Sequence, residues 1–156
     1  ELKKQGSWIT LTPENDPVAL ALKHRFSSLL KSSTPGDYIE VQMKGLACGL
    51  YDAMGPGTGQ YVMEVDQDFK QTISRFDAYC TNSRSNFFVV PTQPNQTHTI
   101  RFRVSDEKVD KAAILKTRNQ AMNDAQRFQE NACYAGKLLL VGELVPYWKS
   151  SIDKHN

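Results

Sequence analysis

The stretch YIEVQMKGLACGL, residues 38–50, constrains the fold more than any other part of the chain. Ile39, Val41 and Met43 share one parity, and Glu40, Gln42 and Lys44 share the other. Alternation with period two is the pattern of a strand with one buried face. After Gly45 the apolar positions change parity to Leu46, Cys48 and Leu50, so the glycine reads as a bulge that reverses the facing.

Other runs supply neighbours for this strand. Residues 60–65 place Tyr61, Met63 and Val65 together, and residues 97–105 alternate Ile100, Phe102 and Val104 with Thr99, Arg101 and Arg103. Residues 87–90 form a β-prone run cut off by Pro91, and residues 7–12 (SWITLT) predict a short N-terminal strand. Residues 137–148, apolar on both parities, predict a strand buried on both faces. Gly55-Pro56-Gly57-Thr58-Gly59 lies between two alternating segments, where an exposed hairpin connection belongs. The PTQPN loop would join a second hairpin.

Three segments carry helical spacing. Asn15-Asp16-Pro17 offers a cap and a proline at the first helical position, followed by Val18, Leu22, Phe26, Leu29 and Leu30 up to about Lys31. Phe69, Ile73, Phe76 and Cys80 share one helical face within residues 66–80. Ser105 opens a third helix, whose stripe runs from Val109 to Ala132, with Gly136 ending the region. The expected order is β-α-β-β-α-β-β-α-β. It describes an α+β fold, a mostly antiparallel sheet with about three helices packed on one face. Residues 1–156 read as a single globular domain with a short polar tail at about 150–156.

Composition narrows the functions. Nineteen Lys plus Arg against seventeen Asp plus Glu leave a net charge of +2, too small to imply a polyanionic partner, so nucleic acid is not the expected ligand. Arg101 and Arg103 sit among Asp106, Glu107 and Asp110, which reads as a mixed-charge solvent face. No apolar run approaches the roughly 18 residues of a membrane span, so no membrane insertion is expected. The chain starts at Glu1 without a signal-peptide pattern, which reads as a processed form and predicts a periplasmic or secreted protein. Cys48, Cys80 and Cys133 allow one disulfide and a free thiol, in three pairings, or three reduced thiols. Cys80–Cys133 is the favoured pair, because both would end helices that could lie side by side.

The chemical motifs are incomplete. The glycine run lacks the lysine of GxxxxGK[ST], and GxGxxG fails at Gln60 and precedes a strand, so no phosphate or nucleotide cofactor is expected. His24, His98 and His155 do not repeat at metal-ligand spacing, and no metal is expected. Glu64, Asp66 and Asp68 alternate as in half a calcium loop, but Phe69 and Arg75 occupy the positions of its glycine and final glutamate. For carboxylate chemistry, Glu40 and Asp52 are the conceivable opposite partners. No GxSxG elbow or CxxC is present, and no catalytic residue is assigned.

Recognition by surface shape is left as the leading expectation. Tyr51, Met54, Gly57 and Tyr61 around the glycine loop, with Tyr147 and Trp148 near the last strand, are the candidate contact residues, because aromatics and methionine are enriched in interface centres. The expected function is a non-catalytic protein-binding domain, an exported accessory, inhibitor or immunity-like protein. The alternatives are a small hydrolase or lyase using dispersed carboxylates with His24 or His98, and a carrier of an apolar small ligand.

Overall fold

A computed structural model of the chain describes residues 1–148. The long alternating run forms β4 (Tyr38–Met54), and most of the larger sheet is arranged around it. β1 (Leu2–Gln5) and β8 (Thr97–Val104) flank its first half, while β10 (Lys137–Leu144) and β7 (Arg84–Pro91) flank its second. β5 (Gln60–Val65) lies beyond β8, and β6 (Phe69–Ser74) beyond β5. A smaller sheet joins β2 (Ile9–Leu11), β3 (Leu29–Ser32) and β9 (Cys133–Ala135). All these pairings are antiparallel. Two short helices, α1 (Pro17–Ala21) and α2 (Lys111–Lys116), and a 3-10 turn at Ala125–Phe128 complete the described elements. The fold is α+β, dominated by antiparallel sheet with a couple of helices packed on one face.

The parity switch at Gly45 is physical. Gly45, at φ 159°, faces Gly142, at φ 149°, where the β4–β10 register shifts. A Cβ on Gly45 would lie 2.2 Å from the Val141 carbonyl oxygen, and one on Gly142 would lie 2.3 Å from that of Lys44. Only glycine allows the two backbones to approach this closely. The bend lets one strand serve two halves of a sandwich. Ile39, Val41 and Met43 before it, and Cys48 and Leu50 after it, enter the same core with Tyr61, Phe88 and Phe102.

On the outer face of the first half, the register aligns Lys3, Glu40, Arg101, Glu64 and Lys70 across five strands. Arg101 donates to Glu40 at 2.8 Å and Arg103 to Glu64 at 3.0 Å, so both arginines meet carboxylates of the mixed-charge face. A buried ion pair ties the opposite end of β4 to the segment after β6. Arg75 donates to both oxygens of Asp52 at 2.6 and 2.7 Å, and Asp52 is fully buried.

Several local expectations change. Residues 66–80 form no helix: β5 turns through Asp66 and Gln67, both at positive φ, into β6. Phe69 and Ile73, four residues apart, share a face in either a helix or a strand, so their spacing did not separate the two. The first helix stops at Ala21, and Leu29 and Leu30 belong to β3. The third is only six residues long and is capped by Asp110 rather than Ser105. β10 is not buried on both faces: only its Leu138 and Leu140 pack against the core, partly buried, and Val141 and Leu144 stay exposed. β4 and β5 do not pair with each other, nor do β7 and β8, so neither connection closes a hairpin. The glycine run crosses from β4 to β5, and the largely exposed PTQPN loop carries the chain from β7 to β8 along β4.

The expected Cys80–Cys133 disulfide is absent. Cys48, Cys80 and Cys133 are free, buried thiols. Cys133 lies in the main core with Cys48, whereas Cys80 packs with Phe76, Leu115 and Phe128 in a separate cluster. Burial pushes the Cys48 thiol up to about 12 and the Cys80 thiol up to about 11. Low thiolate content makes both unreactive. The expected tail at 150–156 lies outside the described residues. Among the described residues no helix is long and apolar enough to cross a membrane.

Candidate functional site

The glycine run is not the exposed loop its composition suggests. Gly55, Pro56, Thr58 and Gly59 are buried and Gly57 is half-buried. The backbone N–H of Gly59 donates to Ala132 O at 2.9 Å, and that of Ala132 donates to Gly57 O at 2.8 Å. The Thr58 hydroxyl lies 2.7 Å from Gly55 O and also reaches Arg75 O. Beneath the loop, the buried Lys111 ammonium donates to Pro56 O at 2.8 Å and to Glu130 O. Burial pulls the Lys111 amine down to about 8, against opposing pulls from Cys80 and Glu130. The lysine missing from the phosphate motif is thus replaced in space by one from α2, but it faces carbonyl oxygens. The loop is a wall whose carbonyls already accept from Thr58, Lys111, Ala132 and Arg75, not a phosphate cradle.

That wall borders a cleft of about 340 Å³, near the lower end of the range for small-molecule sites. Its apolar lining comes from Pro17, Val18, Ala53, Met54, Pro56 and Tyr134. Around it stand charged and polar groups from four other segments. Lys31 on β3 pairs with Glu130 at 2.8 Å, and Asp16 caps α1, accepting through Oδ1 from the amides of Val18 and Ala19. Ser83 and Arg127 contribute from the loops after β6 and after α2. The arrangement presents donors and acceptors at fixed positions around a modest apolar surface, which suits a polyhydroxylated ligand better than a purely apolar one.

The expected contact residues separate. Met54 and Gly57 line this cleft. Tyr51 is half-buried against Phe26, with ring centroids 4.7 Å apart. Tyr61 is fully buried and donates its hydroxyl to Tyr134 O at 2.7 Å, so it supports the floor from below. Tyr147 belongs to a different face, donating to Glu40 at 3.1 Å with the Lys3 ammonium 3.3 Å from its ring centre. Trp148 is 62% exposed. Lys31, Arg127, Glu130 and Tyr134 were not legible as site residues. Lys31 read as a helix end and Arg127 and Glu130 as part of a long helix, and only the sheet pairing of β3 with β9 brings them together.

The dispersed catalytic groups do not converge among the described residues. Asp52 is enclosed with Arg75, and burial pushes its carboxyl up to about 6 despite the two guanidinium hydrogen bonds. Glu40 is committed to Arg101 and Tyr147. His24 is exposed, and His98 has both ring nitrogens engaged, Nδ1 2.6 Å from Asp66 Oδ2 and Nε2 2.9 Å from Gln93 O.

No protein-family model matches the chain, and no curated protein matches its sequence. Solved structures share its fold at low identity. A two-domain esterase active on acetylated mannans, co-crystallised with mannopentaose, aligns with a TM-score of 0.56 and 12% identity over 94% of this chain and 35% of its own. The Agl-KA catalytic domain aligns with a TM-score of 0.52 and 11% identity over 93% of this chain and 26% of its own. A Paenibacillus xanthan lyase aligns with a TM-score of 0.50 and 12% identity over 90% of this chain and 12% of its own. The chain therefore spans about a third or less of each of these proteins, and at this identity the likeness is one of fold.

Proposed function

We propose that the chain is a carbohydrate-recognising module that holds a glycan in the glycine-loop cleft for chemistry carried out by other residues. The cleft carries the proposal: a tied loop, the Lys31–Glu130 pair and the Asp16 and Arg127 side chains surround an apolar floor. Sugar hydroxyls each donate and accept, so paired donors and acceptors at fixed positions match them, and the C–H face of a pyranose takes the apolar floor. The fold is compatible with the reading, since it recurs within proteins described as an esterase of acetylated mannans and a xanthan lyase. A periplasmic or secreted location is part of the same proposal, because cell-wall and exported polysaccharides lie outside the cytoplasm. A protein partner at the same loop is the second reading, favoured by the half-buried Gly57 at the cleft surface, with Met54 buried beneath it.

The test is a ¹⁵N-resolved titration with mannopentaose, xylopentaose and an oligogalacturonate. At least one should shift the amides of Gly55, Gly57, Thr58, Glu130 and Asn131 with a dissociation constant of roughly 10 µM to 1 mM, about −4 to −7 kcal/mol. If all three leave these amides unmoved at millimolar concentration, the glycan reading of this cleft fails.

A further inference from the structure

A second cleft opens at the far end of β5, where Val65 and the start of β6 face the end of β7 and the loop after it. Its volume is about 560 Å³, larger than the first. Six residues of β5, at roughly 3.3 Å each, put the two clefts about 20 Å apart. Phe69 pairs with Val65, so it lies on the inner side of the sheet together with Gln71 and Ile73. Ile73 packs against the core, but Phe69 stays 51% exposed at the mouth, across from Val90 and Pro91. An aromatic ring held at the rim of a concave apolar wall is in position to stack against a flat apolar face of a ligand.

The polar groups here differ from those of the first cleft. Gln71, Gln93 and Gln96 line it, each with an amide that offers donors and an acceptor. The contact between Gln96 Nε2 and Gln93 Oε1 is 3.5 Å, at the limit of a hydrogen bond, so the amides are not locked to each other. Beneath them the frame is rigid. His98 is 5% exposed and joins Asp66 to the Gln93 carbonyl, while Asp66 Oδ1 accepts from the Thr99 amide at 2.8 Å. That bridge fixes the β5–β6 turn against the loop that carries the glutamines. None of the described residues lining the cleft is a lysine or arginine, and Asp66 and Asp68 lie at its edge, so an anionic ligand is disfavoured.

We infer that this mouth is a second carbohydrate-binding site, selective for neutral glycans, with Phe69 as the stacking platform and Gln71, Gln93 and Gln96 as hydroxyl partners. The inference rests on the glycan reading of the chain but not on the first cleft. Two sites at opposite ends of one sandwich would let a single module engage two segments of a polysaccharide, raising retention on a polymer well above either affinity alone.

The same titration with mannopentaose, xylopentaose and an oligogalacturonate tests it, read at residues 69, 71, 93, 96 and 98. A neutral pentaose should shift these amides, the oligogalacturonate should not, and Phe69→Ala should weaken the neutral response at least tenfold while leaving residues 55–58 unchanged. Silence at this end for both neutral pentaoses, or an unaltered response in Phe69→Ala, overturns the inference. Shifts here with silence at residues 55–58 would sustain the second site and remove the first. Shifts at residues 55–58 alone would do the reverse.

Discussion

The two ends of the sandwich solve the same problem by different means. At the glycine-loop end the backbone is anchored by Lys111, Thr58 and a bridge to Ala132, and the side chains around the cleft are charged and paired. At the other end His98 and Asp66 hold two loops through bonds to each other, to the Gln93 carbonyl and to Thr99, and the cleft is faced by an exposed phenylalanine and neutral amides. The difference shows where rigidity comes from. A cleft built on crossing backbone needs buried polar anchors, whereas one built on strand ends inherits its shape from the sheet. Damage should therefore spread from the first end into the whole fold and stay local at the second.

The largest effect is expected at the Asp52–Arg75 pair, which secures the end of β4 behind the glycine loop. Asp52→Ala leaves a buried guanidinium without its partner and should cost about 3–5 kcal/mol in urea unfolding. Lys111→Met comes next. It removes two charge-assisted hydrogen bonds to loop carbonyls, and a loss of roughly 2 kcal/mol together with weakened binding at residues 55–58 is expected. Phe69→Ala, at the opposite end, should change stability by less than about 0.5 kcal/mol because the ring is half exposed. Equal losses in Lys111→Met and Phe69→Ala would erase the distinction between the two ends.

Protonation gives a finer test. Burial raises the folded-state value of Asp52 to about 6, above the roughly 3.9 of an unfolded aspartate. The folded state then holds the proton more tightly, so this group's stabilising contribution is full below about pH 4 and is lost as pH rises through 6. In Asp52→Asn that slope between pH 4 and 6 should vanish from the stability profile. A wild-type profile with no component of this sign would show that the guanidinium pull outweighs burial.

How much of this was legible in sequence differs by region too. The β4 alternation, its reversal at Gly45 and the Asp16-Pro17 cap are local signals, and the structure keeps each. The helix expected over residues 66–80 failed because Phe69 and Ile73 fit both periods, and the positive φ at Asp66 and Gln67 has no glycine to announce it. The glycine run was read as exposed since nothing nearby in sequence anchors it. Its partners are Arg75, Lys111 and Ala132, from 16 to 75 residues away, and such contacts follow from topology rather than composition. The cysteines were read through helices that the chain does not form, so their burial in separate clusters could not be foreseen.

The central claim is that the glycine-loop cleft binds a glycan, and Gly57 offers the cleanest way to close it. A Cβ there meets Glu130 Oε2 at 3.6 Å, an ordinary contact, so Gly57→Leu should project a side chain into the cleft with stability changed by less than about 0.5 kcal/mol. Isothermal titration of wild-type and Gly57→Leu protein with the glycan that shifts residues 55–58 decides the matter. The account predicts binding by the wild type and at least a tenfold loss in the folded variant. Undiminished affinity in Gly57→Leu would contradict it.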